Sequence, residues 1–209
     1  RTLPQNGPDK KRPMREMGQM AAPTFNNNGL DPVLQTSTDL RALSAPSTLT
    51  SFKGLDLQNW GGGWPPDTHG DVGPSHYIQA VNTSIGIFDK ATGTRLAAFT
   101  FNNFFVAAGG SGVCATYNQG DPIVLYDQIS GRWIITDFAF SSVSKPPYYE
   151  CIAVSKTADP VSGGWWLYTF TADTVSLNDY PKLGIWNDGI YMSANLFKRG
   201  RTYAGTKVW

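Results

Sequence analysis

From about residue 69 to the end of the chain, short apolar runs alternate with turns rich in Gly, Asp and Asn. The runs are HYIQAVN (76–82), SIGIFD (84–89), LAAFTF (96–101), DPIVLYD (121–127), RWIITDFAF (132–140), ECIAVSK (150–156), WWLYTF (165–170), DYPKLGIW (179–186) and IYMSANLF (190–197). Ile85 and Ile87 fall on one face of SIGIFD, the period of a half-buried strand, and β-branched and aromatic residues dominate throughout. No helical or heptad period is sustained. A brief strand is also expected at FKGLDL (52–57), and a long loop insertion at 105–120. The connections repeat as well. Asp89-Lys-Ala-Thr-Gly93, Asp127-Gln-Ile-Ser-Gly131 and Asp159-Pro-Val-Ser-Gly163 all fit D-x-x-[ST]-G. Asp accepts nearby backbone N–H bonds there and Gly closes the hairpin, so these Asp residues are turn formers rather than catalysts. Asn187-Asp188-Gly189 predicts a type I′ turn.

A longer pattern lies over these strands. GGGWPPDTHGDVGPSHYIQAVN (61–82) is echoed by GDPIVLYDQISGRWIITDFA (120–139) and by NDYPKLGIWNDGIYMSAN (178–195). Each copy has an early Asp (Asp67, Asp121, Asp179) and ends in an aromatic-led apolar strand. Self-similarity at roughly 40–50 residues is the mark of propeller blades or arrays. The expectation is an all-β partial β-propeller over 51–209, about two and a half four-stranded blades at 64–104, 120–171 and 178–209. An extended or disordered leader, 1–50, precedes it, because its Asn, Ser, Thr and Pro content buries little apolar surface. A propeller ring closes with about four to eight blades. The remainder of the same propeller, or a second chain, is therefore expected to complete this one.

Composition narrows the function classes. Over 209 residues the net charge is +1, which offers no broad field for nucleic acid. Charged residues at 16% with 22 Gly and 14 Pro suit strands and turns, not a helical bundle. No apolar run is long enough to span a membrane. The two cysteines, Cys114 and Cys151, leave three readings: a reactive thiol, two buried thiols or a disulfide. The disulfide is favoured, since the Gly-rich stretch around Cys114 has little else to order it. Closing that loop would contribute about 3–4 kcal/mol on the chain-entropy model and implies an oxidising, secreted or cell-surface setting.

GWPPDTHGDVGPSHYIQAVN, GDPIVLYDQISGRW and LNDYPKLGIWNDGIYMSAN together resemble a group of large secreted bacterial proteins. These carry an uncharacterised propeller-like β domain, often beside Ig-like or PKD-like modules. The resemblance covers about Trp60 to Trp209 and implies fold and secretion; it brings no activity with it. Such proteins carry Asn where this chain has His69, which counts against His69 as a general base.

Four constellations could carry chemistry. His69 and His76 near Asp67, Asp71 and Ser75 permit a Ser-His-Asp arrangement on paper, but no G-x-S-x-G elbow exists. Propellers gather one residue per blade near the axis, so Asp67, Asp121 and Asp179 could converge as the paired carboxylates of a glycosidase. The structural alternative is that each Asp caps its inner strand. Asp67 and Asp71 with their loop carbonyls resemble an oxygen-rich loop, for which Ca2+ is the fitting cation, although no EF-type loop is present. Trp165 and Trp166 could offer a sugar-binding platform, with only one of the pair able to face solvent. The favoured function is a secreted, non-catalytic binding or scaffold module for a glycan or protein. The rival is a glycan hydrolase using the axial carboxylates.

Overall fold

The computed structural model describes residues 47–60 and 65–209. The expected leader lies outside the described residues except for its last four, which are exposed, and so does the whole GGGW segment.

The described chain is all-β: three antiparallel meanders with two short helices between the first and second. Blade 1 comprises β1 (His69–Val72), β2 (His76–Val81), β3 (Ser84–Asp89) and β4 (Arg95–Thr100). Helices α1 (Phe101–Ala107) and α2 (Val113–Thr116) follow. Blade 2 is β5 (Ile123–Asp127), β6 (Arg132–Ala139), β7 (Tyr148–Ser155) and β8 (Trp165–Asp173). Blade 3 is β9 (Ser176–Trp186), β10 (Gly189–Lys198) and β11 (Thr202–Val208). In each sheet the strands pair in sequence order, so every connection is a hairpin. The first strands stand side by side, β1 against β5 and β5 against β9. They form the inner edge of a partial propeller.

Ile85 and Ile87 do share one face, but β3 is buried on both faces rather than half-buried, because the segment before blade 1 covers the other side. Blades 1 and 2 meet across a large apolar core built from Ile78, Ile85, Ile87 and Phe99 on one side and Val124, Trp133, Ile135 and Ala153 on the other. Blade 1's opposite face is covered by the segment before it, with Leu55, Phe52 and Trp60 packed on Val81, Phe88 and Ala98. Blades 2 and 3 share a smaller cluster of Phe138, Phe140, Tyr148 and Leu177, with Phe197 at its margin.

Four expectations need correction. LAAFTF does not run through as strand; β4 stops at Thr100 and Phe101 opens α1. The expected loop insertion is partly helical because Phe101, Phe104 and Phe105, at i, i+3 and i+4, all bury into the core between blades 1 and 2. FKGLDL is not a strand: only an isolated bridge links Asp56 and Trp60, and the Asp56 carboxylate turns the chain by accepting from the Gln58 and Asn59 amides. Residues 187–188 do form a two-residue hairpin loop, but without the left-handed dihedrals of a type I′ turn.

The D-x-x-[ST]-G turns form as the motif requires. Asp89 accepts from the Thr92 amide and hydroxyl; Asp127 accepts from the Ile129 amide and Ser130 hydroxyl. Gly93 and Gly131 sit at positive φ. In the third copy Asp159 holds Val161 and Ser162, and positive φ passes to Gly164. The Cys114–Cys151 disulfide is formed, tying α2 to β7 across 37 residues.

Candidate functional site

The three inner strands meet at a pocket of about 280 Å³. Its walls are three tripeptides, one per blade: Asp67-Thr68-His69, Asp121-Pro122-Ile123 and Tyr180-Pro181-Lys182. The first residue of each has a left-handed backbone, with φ of 41°, 49° and 52° for Asp67, Asp121 and Tyr180. Non-glycine residues seldom adopt this conformation, and for a ring as bulky as tyrosine it costs energy. Its recurrence at one place in three blades marks a shared backbone kink, which in blade 3 is a bulge inside β9, and all three residues line the pocket.

That geometry corrects the repeat alignment. Asp67 and Asp121 are equivalent, but the third member is Tyr180. Asp179 stands one residue earlier, level with Pro66 and Gly120. It is nevertheless close enough to matter electrically. Burial first, then Asp179 and Asp67, push the Asp121 carboxyl up to about 7. Burial, then the charge of Asp67, raises Asp179, and burial raises Asp67 against the pull of Asn82 and Lys182. Like charges crowded in a poorly solvated space favour retention of a proton.

Several of these polar groups also have structural partners. The Asn82 amide donates to Asp67 Oδ2 at 2.8 Å and to the Pro65 carbonyl at 3.0 Å. Asp121 Oδ2 accepts the Tyr180 N–H at 3.1 Å, joining blade 2 to blade 3. His69 Nδ1 accepts the Val124 N–H at 3.1 Å, and Asp71 Oδ2 the Tyr126 N–H at 2.8 Å, joining blade 1 to blade 2. Burial and the Lys182 charge keep the His69 imidazolium disfavoured. The Val124 bond therefore places the proton of the neutral ring on Nε2, as a donor. Lys182 Nζ sits 3.4 Å from the centroid of the exposed Tyr180 ring.

Behind the pocket is a group that the sequence reading did not single out. Glu150, on β7, is fully buried and receives the Asn178 amide on Oε2 at 2.9 Å. Burial, reinforced by Asp121, pushes its carboxyl up to about 8, against the opposing effect of Thr136 and Asn178.

The remaining candidates divide. No Ser-His-Asp relay forms: Asp71 is spent on backbone amides, its Oδ1 taking the Val72 N–H at 2.7 Å. Among the described residues no group of three or more His, Cys, Asp or Glu is placed to hold a metal ion. Asp67 and Asp71, read from the sequence as an oxygen-rich Ca2+ loop, accept the Asn82 amide and the Val72 and Tyr126 N–H groups respectively. Trp165 is 6% exposed, stacked edge-on against Phe104 with Nε1 bonded to the Pro160 carbonyl. It belongs to the core, while Trp166 faces outward. Tyr180 and Lys182 were missed, though one signal pointed to them: Tyr180-Pro181 matches Asp121-Pro122, and an X-Pro register would have moved the third copy by one residue.

No family model matches the chain, and no curated protein matches it. Among solved structures the chain is similar to the GH43 endo-arabinanase from Bacillus licheniformis at 15% identity and a TM-score of 0.38. That match covers 68% of this chain and 54% of the other, so the chain spans about half the length of the enzyme it matches.

Proposed function

We propose that the chain is a non-catalytic binding module of a secreted or cell-surface protein, with the axial pocket taking a glycan or protein ligand. One observation carries this reading. The pocket gathers polar groups and an exposed tyrosine from three blades, while Asp121 and His69 already join neighbouring inner strands. His69 Nδ1 and one oxygen each of Asp67 and Asp121 are committed to N–H donors, which suits a preorganised binding surface. The disulfide fits an oxidising compartment. The exposed Trp186, Ile190, Tyr191 and Val208 on blade 3 suit packing against a further blade, from the same polypeptide or a second chain.

A hydrolase is the second reading, favoured by the carboxyl of Asp121 at about 7 beside Asp67. A protonated acid next to a second carboxyl is the pairing that glycoside hydrolysis uses. A polysaccharide panel assayed for both binding and reducing-end release separates the two. Retention without turnover, weakened in Asp121→Asn and Tyr180→Ala, is the expected result. Turnover by the wild type that disappears in Asp121→Asn would replace binding with hydrolysis.

A further inference from the structure

Strand β8 closes the outer edge of blade 2 and carries Trp166, Tyr168 and Phe170 at alternate positions. They are 38%, 53% and 37% exposed. Alternate residues of a strand share a face and stand about 6.7 Å apart, so the three rings form a straight row. Phe170 ends the row against Trp209, their ring centroids 6.4 Å apart. Such a row of large rings at the periphery is not required by the core, which the neighbouring Trp165 already serves.

The charges at the Trp166 end give the row a chemistry. The Arg132 guanidinium lies 4.6 Å from the Trp166 ring centroid and Lys156 Nζ 5.8 Å from it. Among the described residues neither cation has a carboxylate within salt-bridge distance; the ion pairs are Lys53–Asp56 and Lys207–Asp173. Asp127, paired with Arg132 across the hairpin, spends its oxygens on Ile129 and Ser130. Asp159 spends its own on Val161 and Ser162. Two cations are thus held against an indole face without a salt bridge, although the Arg132 charge still acts on Asp127 from a distance. At the other end Lys207 is neutralised by Asp173.

We propose that this face of β8 is a binding track for a uronic-acid-bearing polysaccharide. The rings would lie against the apolar C–H faces of successive sugars, and Arg132 and Lys156 would meet a carboxylate at the Trp166 end. A single-stranded nucleic acid also uses rings and cations, but it needs a basic groove that follows its backbone. Two cations on a chain of net charge +1 do not make one. The track is independent of the axial pocket, since β5 and β8 are three strand spacings apart, about 14 Å.

Affinity electrophoresis through polygalacturonate, a neutral galactan and a single-stranded oligonucleotide, using the whole chain, tests the proposal. Retardation by polygalacturonate alone is expected, weakening in high salt. Trp166→Ala and Arg132→Gln should each lose about tenfold in affinity, and Tyr168→Ala, at the most exposed ring, should lose less while leaving the fold intact. Tyr203→Ala, an exposed ring on β11 outside both the row and the pocket lining, should change nothing. Equal retardation by galactan, preference for the oligonucleotide, no retardation, or retardation indifferent to Trp166 and Tyr168 would each overturn it. Binding lost in Asp121→Asn but kept in Trp166→Ala would overturn the track while supporting the axial pocket.

Discussion

Blades 1 and 2 meet through hydrocarbon, whereas blades 2 and 3 meet largely through carboxyls and amides. At the first interface Ile78, Ile87, Phe99, Trp133 and Ile135 interdigitate, α1 adds three phenylalanines, and a disulfide ties α2 to β7. His69 and Asp71 then fix the inner edge by accepting amides of β5. At the second, a four-residue apolar cluster sits beside Glu150–Asn178 and Asp121–Tyr180. Apolar burial does not depend on pH, but a buried carboxyl is tolerable only while it keeps its proton or finds a cation. The rigid half of the molecule is therefore blades 1 and 2. The adjustable interface is the one between blades 2 and 3.

The largest expected effect breaks the apolar side. Trp133 is fully buried, edge-on to Tyr126, with Nε1 donating to the Ala158 carbonyl at 3.1 Å. Trp133→Ala should cost about 3–5 kcal/mol in urea unfolding, at any pH between 5 and 9. Leu177→Ala, in the smaller cluster, should cost less, about 2–3 kcal/mol. Equal losses would mean that the two interfaces are alike. Next, Cys114→Ala with Cys151→Ala should cost about 3 kcal/mol and leave β9–β11 undisturbed, because the crosslink spans 37 residues that end before blade 3.

A smaller change sharpens the role of the inner edge. Asp71→Ala strands the Tyr126 N–H and should cost about 1–2 kcal/mol. An unchanged midpoint would remove Asp71 from the account.

The last expected effect is on the pH slope. Glu150 is raised from 4.5 to about 8 in the folded chain. The folded state then binds a proton that the unfolded state has released. The Glu150 contribution to stability is complete below about pH 4.5 and is lost as pH rises toward 8. Asp121, raised from 3.8 to about 7, acts with the same sign. Glu150→Gln should flatten that decline while altering stability little at pH 5. A steeper decline in the variant would reverse the assignment.

The strands were legible because Ile85 and Ile87, or Trp133 and Ile135, declare a two-residue period that the D-x-x-[ST]-G turns punctuate. The helix at Phe101 was not. Seven residues are too few to establish a helical period, and Phe101 continues the apolar run of LAAFTF without a break. The site was half legible. Asp67 and Asp121 share a place by identity, but Tyr180 shares it only through a left-handed backbone that its side chain does not advertise. Glu150 was invisible, since its burial depends on Asn178, 28 residues away on another blade.

Hydrogen exchange of the native chain at pH 5 and pH 9, corrected for the intrinsic rate, tests the contrast between the two interfaces most directly. Amides of β9 and β10 should lose protection at the higher pH as Glu150 and Asp121 ionise, while those of β2, β3 and β6 hold theirs. Equal loss in both halves, or none in either, would contradict it.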